Sequence, residues 1–97
     1  MQERPNVIVE KTYEFALLVI EFAERLELKR KFVVANQILK SGTSIGANVR
    51  EAQNAESKAD FIYKMKIAAK EADETEYWLL LCQKAETILI VKPFRRK

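Results

Sequence analysis

The sequence predicts an all-α protein, an antiparallel up-and-down helical bundle, and three observations carry that expectation. Apolar residues recur at alternating spacings of three and four in three long segments. Only two Gly and two Pro leave little material for tight turns. The 48% apolar and 32% charged shares are those of a water-exposed folded chain, and 97 residues close around one small core, a single domain over 1–97.

The first predicted helix covers residues 7–28. Its stripe runs through Ile8, Thr12, Phe15, Val19, Phe22 and Leu26, while Glu10, Glu14, Glu21, Glu24 and Arg25 fall mostly outside it. The charge run Glu27-Leu28-Lys29-Arg30-Lys31 then breaks the pattern over a length suited to a helix–helix connection.

A second helix is predicted over 32–55, striped by Ala35, Ile38, Gly42, Ile45, Val49 and Ala52. Its centre holds Gly42, Thr43, Ser44, Gly46 and Asn48, and each Gly costs about 1 kcal/mol relative to Ala in a helix. Propensity alone would make this stretch a loop. The apolar positions nevertheless stay in phase across it, and small residues one turn apart let two helix backbones approach closely. Gly42 and Gly46 are therefore assigned to helix packing. Asn48, if inward, needs a hydrogen-bond partner and would fix the register between helices.

The third helix is predicted over 58–85, opened by Ser57 with Asp60 three residues on, a capping-box pattern. Its stripe is Phe61, Met65, Ala68, Ala72, Thr75, Leu79 and Cys82. At about 1.5 Å per residue this rod is about 42 Å long, which favours an elongated bundle over a sphere. Thr87 to Val91 is β-branched and ends near Pro93, so it reads as a short extended segment or an unfinished connection. Residues 92–97 read as a mobile basic tail.

The inventory excludes most chemistry. Cys82 is the only cysteine and histidine is absent, which removes intramolecular disulfides, zinc sites built on Cys and His, and His-based acid–base catalysis. No pair of carboxylates sits on an apolar background that would raise a pKa. The expectation is a non-enzymatic protein with no catalytic residue, metal or cofactor. Glu71, Asp73, Glu74 and Glu76 diverge around their helix and offer no oxygen cage. No apolar run approaches the roughly 20 residues that span a bilayer, and MQERPNV lacks a signal core, so no membrane contact and a cytoplasmic location are expected.

Charge is laid out in blocks: −3 over residues 1–28, +6 over 29–70, −4 over 71–91 and +4 over 92–97. Lys29, Arg30, Lys31, Lys40, Arg50, Lys64, Lys66 and Lys70 are the candidates for contacting nucleic-acid phosphates, an ordinary solvated face being the alternative. Gly42 and Gly46 do not make a phosphate loop, because Ala47-Asn48 follows where Gly-Lys-Ser/Thr is required. Tyr77 and Trp78 are candidates for a subunit or protein-partner interface, with core packing the competing role.

The stretch SGTSIGANVREAQNAESKADFIYKMKIAAKEADETEYWLLL, residues 41–81, closely resembles the four-helix-bundle proteins encoded within intervening sequences of bacterial 23S ribosomal RNA genes. Glu10-Lys11-Thr12-Tyr13-Glu14-Phe15-Ala16 and Gln37-Ile38-Leu39-Lys40 extend the likeness to about residues 6–86. The resemblance implies a homo-oligomer, a pentamer. In the similar accessory variability proteins of diversity-generating retroelements, it implies a basic surface that contacts a reverse transcriptase and nucleic acid. The function implied here is an RNA- or DNA-associated accessory factor, or alternatively a protein-interaction scaffold with no nucleic-acid role. Family members continue into a fourth helix, missing or truncated in this sequence, which stops after Pro93-Phe94-Arg95-Arg96-Lys97. Three amphipathic helices leave an apolar groove, to be closed by a partner subunit, by residues 87–94, or by residues absent from this chain.

Overall fold

Asn6 starts the first helix: its backbone is extended and its side-chain oxygen accepts from the Val9 amide at 3.3 Å, satisfying one of the free donors of the first turn. The computed structural model describes residues 6–91, with side chains over 6–85. It contains α1 (Val7–Leu28), α2 (Phe32–Ala52) and α3 (Lys58–Val91), and no strand among the described residues.

The turn after α1 closes as a Schellman motif. The Lys31 amide donates to the Leu26 carbonyl at 2.9 Å and the Arg30 amide to that of Glu27 at 2.8 Å. This geometry puts Arg30 in the left-handed region at φ 64, where glycine is the unstrained residue.

The weak centre of α2 is wound as helix throughout. Its polar side chains bond carbonyls one turn back, Thr43 Oγ1 to Leu39 at 2.7 Å and Asn48 Nδ2 to Ser44 at 2.9 Å. The helix stops at Ala52 rather than at 55. Gln53, Asn54 and Ala55 turn through tighter bonds to the third residue back, at 3.0–3.1 Å. The predicted capping pattern is in place: the Asp60 amide donates to Ser57 Oγ at 3.0 Å, and Asp60 Oδ2 accepts from the Glu56 amide at 3.2 Å.

Residues 87–91, open between an extended segment and a connection on sequence grounds, continue α3 to Val91. Extending an existing helix costs no new nucleus, so the few tenths of a kcal/mol that each β-branched residue disfavours it are tolerated until Pro93 nears. The basic tail 92–97 lies outside the described residues.

Helix α2 is the middle of the assembly. Both α1 and α3 pack against it, antiparallel, and their backbones do not approach each other. The core is Val19, Ala23, Leu26, Ala35 and Ile38, with Phe15, Phe22, Trp78, Leu79 and Cys82 packed around it. Ile8, Phe61 and Ala72 belong to the predicted stripes but are exposed, because none of the described residues lies over those turns. The molecule measures 60 × 24 × 19 Å with a radius of gyration of 16.8 Å. A compact chain of this length would have about 12.5 Å, so the bundle is elongated.

Candidate functional site

The α1–α2 seam is set by absent side chains. A Cβ at Gly42 would lie 2.7 Å and 2.8 Å from the two Cγ atoms of Val19, and one at Gly46 would lie 3.2 Å from the Thr12 carbonyl oxygen. The glycines therefore bring α2 onto side chain at one turn and onto backbone at the next.

The α2–α3 seam is pinned by a buried pair that sequence reasoning missed. Thr75 Oγ1 lies 2.8 Å from both Ser41 Oγ and the Glu71 carbonyl. A carbonyl only accepts, so Thr75 gives its single proton there and Ser41 donates to the Thr75 oxygen. Both residues are almost fully buried, which locks the register of the two helices. Asn48 does not carry that role, since its amide bonds its own helix. The only sequence signal for the pair was the appearance of hydroxyl residues on or beside two apolar stripes. A further contact, Asn6 Nδ2 donating to Gln53 Oε1 at 2.9 Å, ties the start of α1 to the end of α2.

The eight basic candidates occupy four places. Lys29, Arg30 and Lys31 form the exposed turn at one end of the bundle. Lys40 and Arg50 lie on the exposed side of α2, and Lys66 and Lys70 are one turn apart on α3. Lys64 sits near the other end, about 30 Å from the turn along the axis. It donates to Glu51 Oε1 at 3.1 Å. That hydrogen bond and the Glu51 charge push the Lys64 ammonium above its ordinary pKa. The other seven make no ion pair among the described residues.

Between α1 and α3 runs a groove of about 400 Å³, lined by Phe22, Leu26, Val34, Leu81, Cys82 and Ala85, with Lys29 and Lys31 beside them. Tyr77 and Trp78 separate here. Trp78 packs against the core and its buried Nε1 has no acceptor among the described residues, whereas Tyr77 is 58% exposed and meets the indole edge-on at 5.7 Å.

The sequence model of a family described as 23S rRNA-intervening sequence protein matches residues 4–91. The chain belongs to that family. This family member is similar to a protein of unknown function from the S23 ribosomal protein family of Bacteroides thetaiotaomicron, known from a crystal structure. The two share 54% identity and superpose with a TM-score of 0.81, over 86% of this chain and 75% of that one. No functionally curated protein matches. Neither the family description nor that of the crystal neighbour names a reaction or a ligand. In this 23S rRNA-intervening sequence protein no helix among the described residues is long and apolar enough to cross a membrane. No group of three or more His, Cys, Asp or Glu side chains among them is placed to hold a metal ion.

Proposed function

We propose that the chain is a non-enzymatic accessory protein that self-associates and holds nucleic acid by its phosphates through the Lys29-Arg30-Lys31 turn. The observation that carries the nucleic-acid reading is Arg30. An arginine in a left-handed backbone costs about 1–2 kcal/mol that glycine would avoid, and here it stands exposed between two further free cations. Strain at an exposed basic turn is what a phosphate contact would justify.

Self-association is supported by large apolar side chains exposed on both outer helices, among them Tyr13, Leu17 and Leu18 of α1 and Ile62, Leu80 and Leu81 of α3. The family likeness favours a pentamer. The test is anisotropy of a labelled oligouridine strand across a salt series. Binding at about 50 mM salt that weakens as salt rises is expected, and loss of one phosphate contact flattens the log–log slope by about 0.7. Lys29→Ala and Lys31→Ala should each flatten it so. Absence of binding at about 50 mM would overturn the nucleic-acid reading.

A further inference from the structure

A concavity of about 420 Å³ lies against the basic turn and shares no residue with the apolar groove. It is lined by Glu27 from the last turn of α1 and by Phe32, Val33, Asn36 and Gln37 from the first turns of α2. Residues 32 and 36, like 33 and 37, are one helical turn apart and share a face, and the antiparallel turn brings Glu27 beside them. Phe32 is 56% exposed, so its ring is open to solvent next to Lys31. The side chains of Glu27, Asn36 and Gln37 make no hydrogen bond or ion pair among the described residues. No side-chain cap closes the start of α2, so its first amides and its dipole favour an anion beside Phe32. Among the described residues of these two helices and their turn, the other charges within one turn of the lining are Lys29, Arg30, Lys31 and Lys40 against Glu24. An anionic strand is therefore drawn to the rim, while one carboxylate stands in the lining.

An exposed aromatic face, two unpaired amides and a carboxylate beside a run of cations are the groups that read an unstacked base on a single strand. A carboxylate only accepts hydrogen bonds, whereas an amide both donates and accepts. On its pairing edge guanine presents two adjacent donors, N1–H and the 2-amino group, next to the O6 acceptor. Adenine, cytosine and uracil present no two donors side by side, so a bidentate carboxylate selects guanine.

We infer that the concavity takes one unpaired guanine of the strand held at the turn. The base lies on the Phe32 ring, Glu27 accepts from N1–H and the 2-amino group, and an amide of Asn36 or Gln37 donates to O6. The pairing edge is engaged in this arrangement, which excludes a base in a duplex. This rests on the phosphate reading proposed above and adds the strandedness and the base that the site selects.

The test is anisotropy of labelled strands of one length at about 50 mM salt. Oligouridine is compared with the same strand carrying guanine, hypoxanthine or adenine as its central base. The guanine strand should bind at least about tenfold tighter than oligouridine. Hypoxanthine lacks the 2-amino group and should give back at least about fivefold of that gain. Adenine should give back most of it, and in duplexes the same replacements should make no difference. Glu27→Gln discriminates by sign: removing an acid should leave oligouridine binding unchanged or tighter, yet bring the guanine strand to within about twofold of oligouridine. Phe32→Ala should weaken the guanine strand without changing its salt slope, since no phosphate contact is lost. Both residues are exposed, so these variants keep the fold. Strands that bind with no guanine advantage, or an advantage that survives Glu27→Gln, would overturn this inference and leave the phosphate reading standing. No binding of any strand would overturn both.

Discussion

Replacing Gly42 by alanine sets two opposed effects against each other, and the structure decides which is larger. Alanine favours the helix by about 1 kcal/mol over glycine. Its Cβ would sit 2.7–2.8 Å from both Cγ atoms of Val19 and 3.2 Å from its Cβ, about an ångström inside the preferred carbon–carbon separation. Valine in a helix holds one χ1 rotamer, so the methyls cannot swing aside and the helices must part. Overpacking costs typically 1–3 kcal/mol, and two approaches below 3.0 Å put this case in the upper half of that range, about 2–3 kcal/mol, which leaves a net loss of about 1–2 kcal/mol and a fall in Tm of about 4–8 °C per kcal/mol. The assay is chemical denaturation at one fixed protein concentration, because self-association would shift apparent stability. Val19→Ala by itself removes two buried methyl groups at about 0.8 kcal/mol each, before any cavity cost. In the double variant the methyl introduced by Gly42→Ala partly occupies the space the valine vacates, so the two losses should fall short of additivity by about 1 kcal/mol or more. A Gly42→Ala chain as stable as wild type, or losses that simply add, would refute the packing account.

Four further outcomes follow from the same contacts. Gly46→Ala meets the Thr12 carbonyl oxygen at 3.2 Å and the Thr12 carbonyl carbon and Oγ1 at an ordinary 3.4 Å, so the helix gain and the crowding should cancel to within about 0.5 kcal/mol in the same denaturation assay. Arg30→Gly should raise stability by about 1 kcal/mol while weakening oligouridine binding; a variant that gains stability with unchanged binding would remove the functional reason for the strain. Thr75→Val strands the buried Ser41 hydroxyl and should cost about 1–3 kcal/mol, whereas Thr75→Val with Ser41→Ala should recover much of it, as a thermal melt would show. Lys64 has a folded pKa above 10.5, so its partnership with Glu51 stabilises fully below the unfolded value and is lost as pH rises through the folded one. NMR titration of the Lys64 ammonium should show a lower pKa in Glu51→Gln, and an unchanged value would discount the pair.

How much of this fold was legible depended on which interactions leave a periodic trace. The apolar stripes placed α1 at its observed bounds and located the other two helices, because a stripe records burial and Val19, Leu26, Ala35, Ile38 and Val49 are buried where it put them. The failures lie at ends. Between Ala52 and residue 55 the apolar pattern is still satisfied by a tighter turn, so periodicity had nothing with which to mark the stop. At 87–91 local propensity opposed the helix by less than an established helix gains by continuing, a comparison that composition does not expose.

The site was legible only where chemistry is carried by residue type. Small residues at 42 and 46 announced a close approach, but not that one glycine faces a side chain and the other a carbonyl, which is what makes their alanine variants differ. Ser41 and Thr75 were invisible as a pair because each is ordinary in its own helix and the hydrogen bond exists only across the seam. The same holds for charge. Counted along the chain, the lysines of 29–70 read as one basic block, whereas folding places Lys29 and Lys64 about 30 Å apart. Electrostatic meaning in this chain therefore lies in the register of its seams, and a substitution that slipped Ser41 against Thr75 by one turn would carry Lys64 about 5 Å along the axis from Glu51 without altering a single charge.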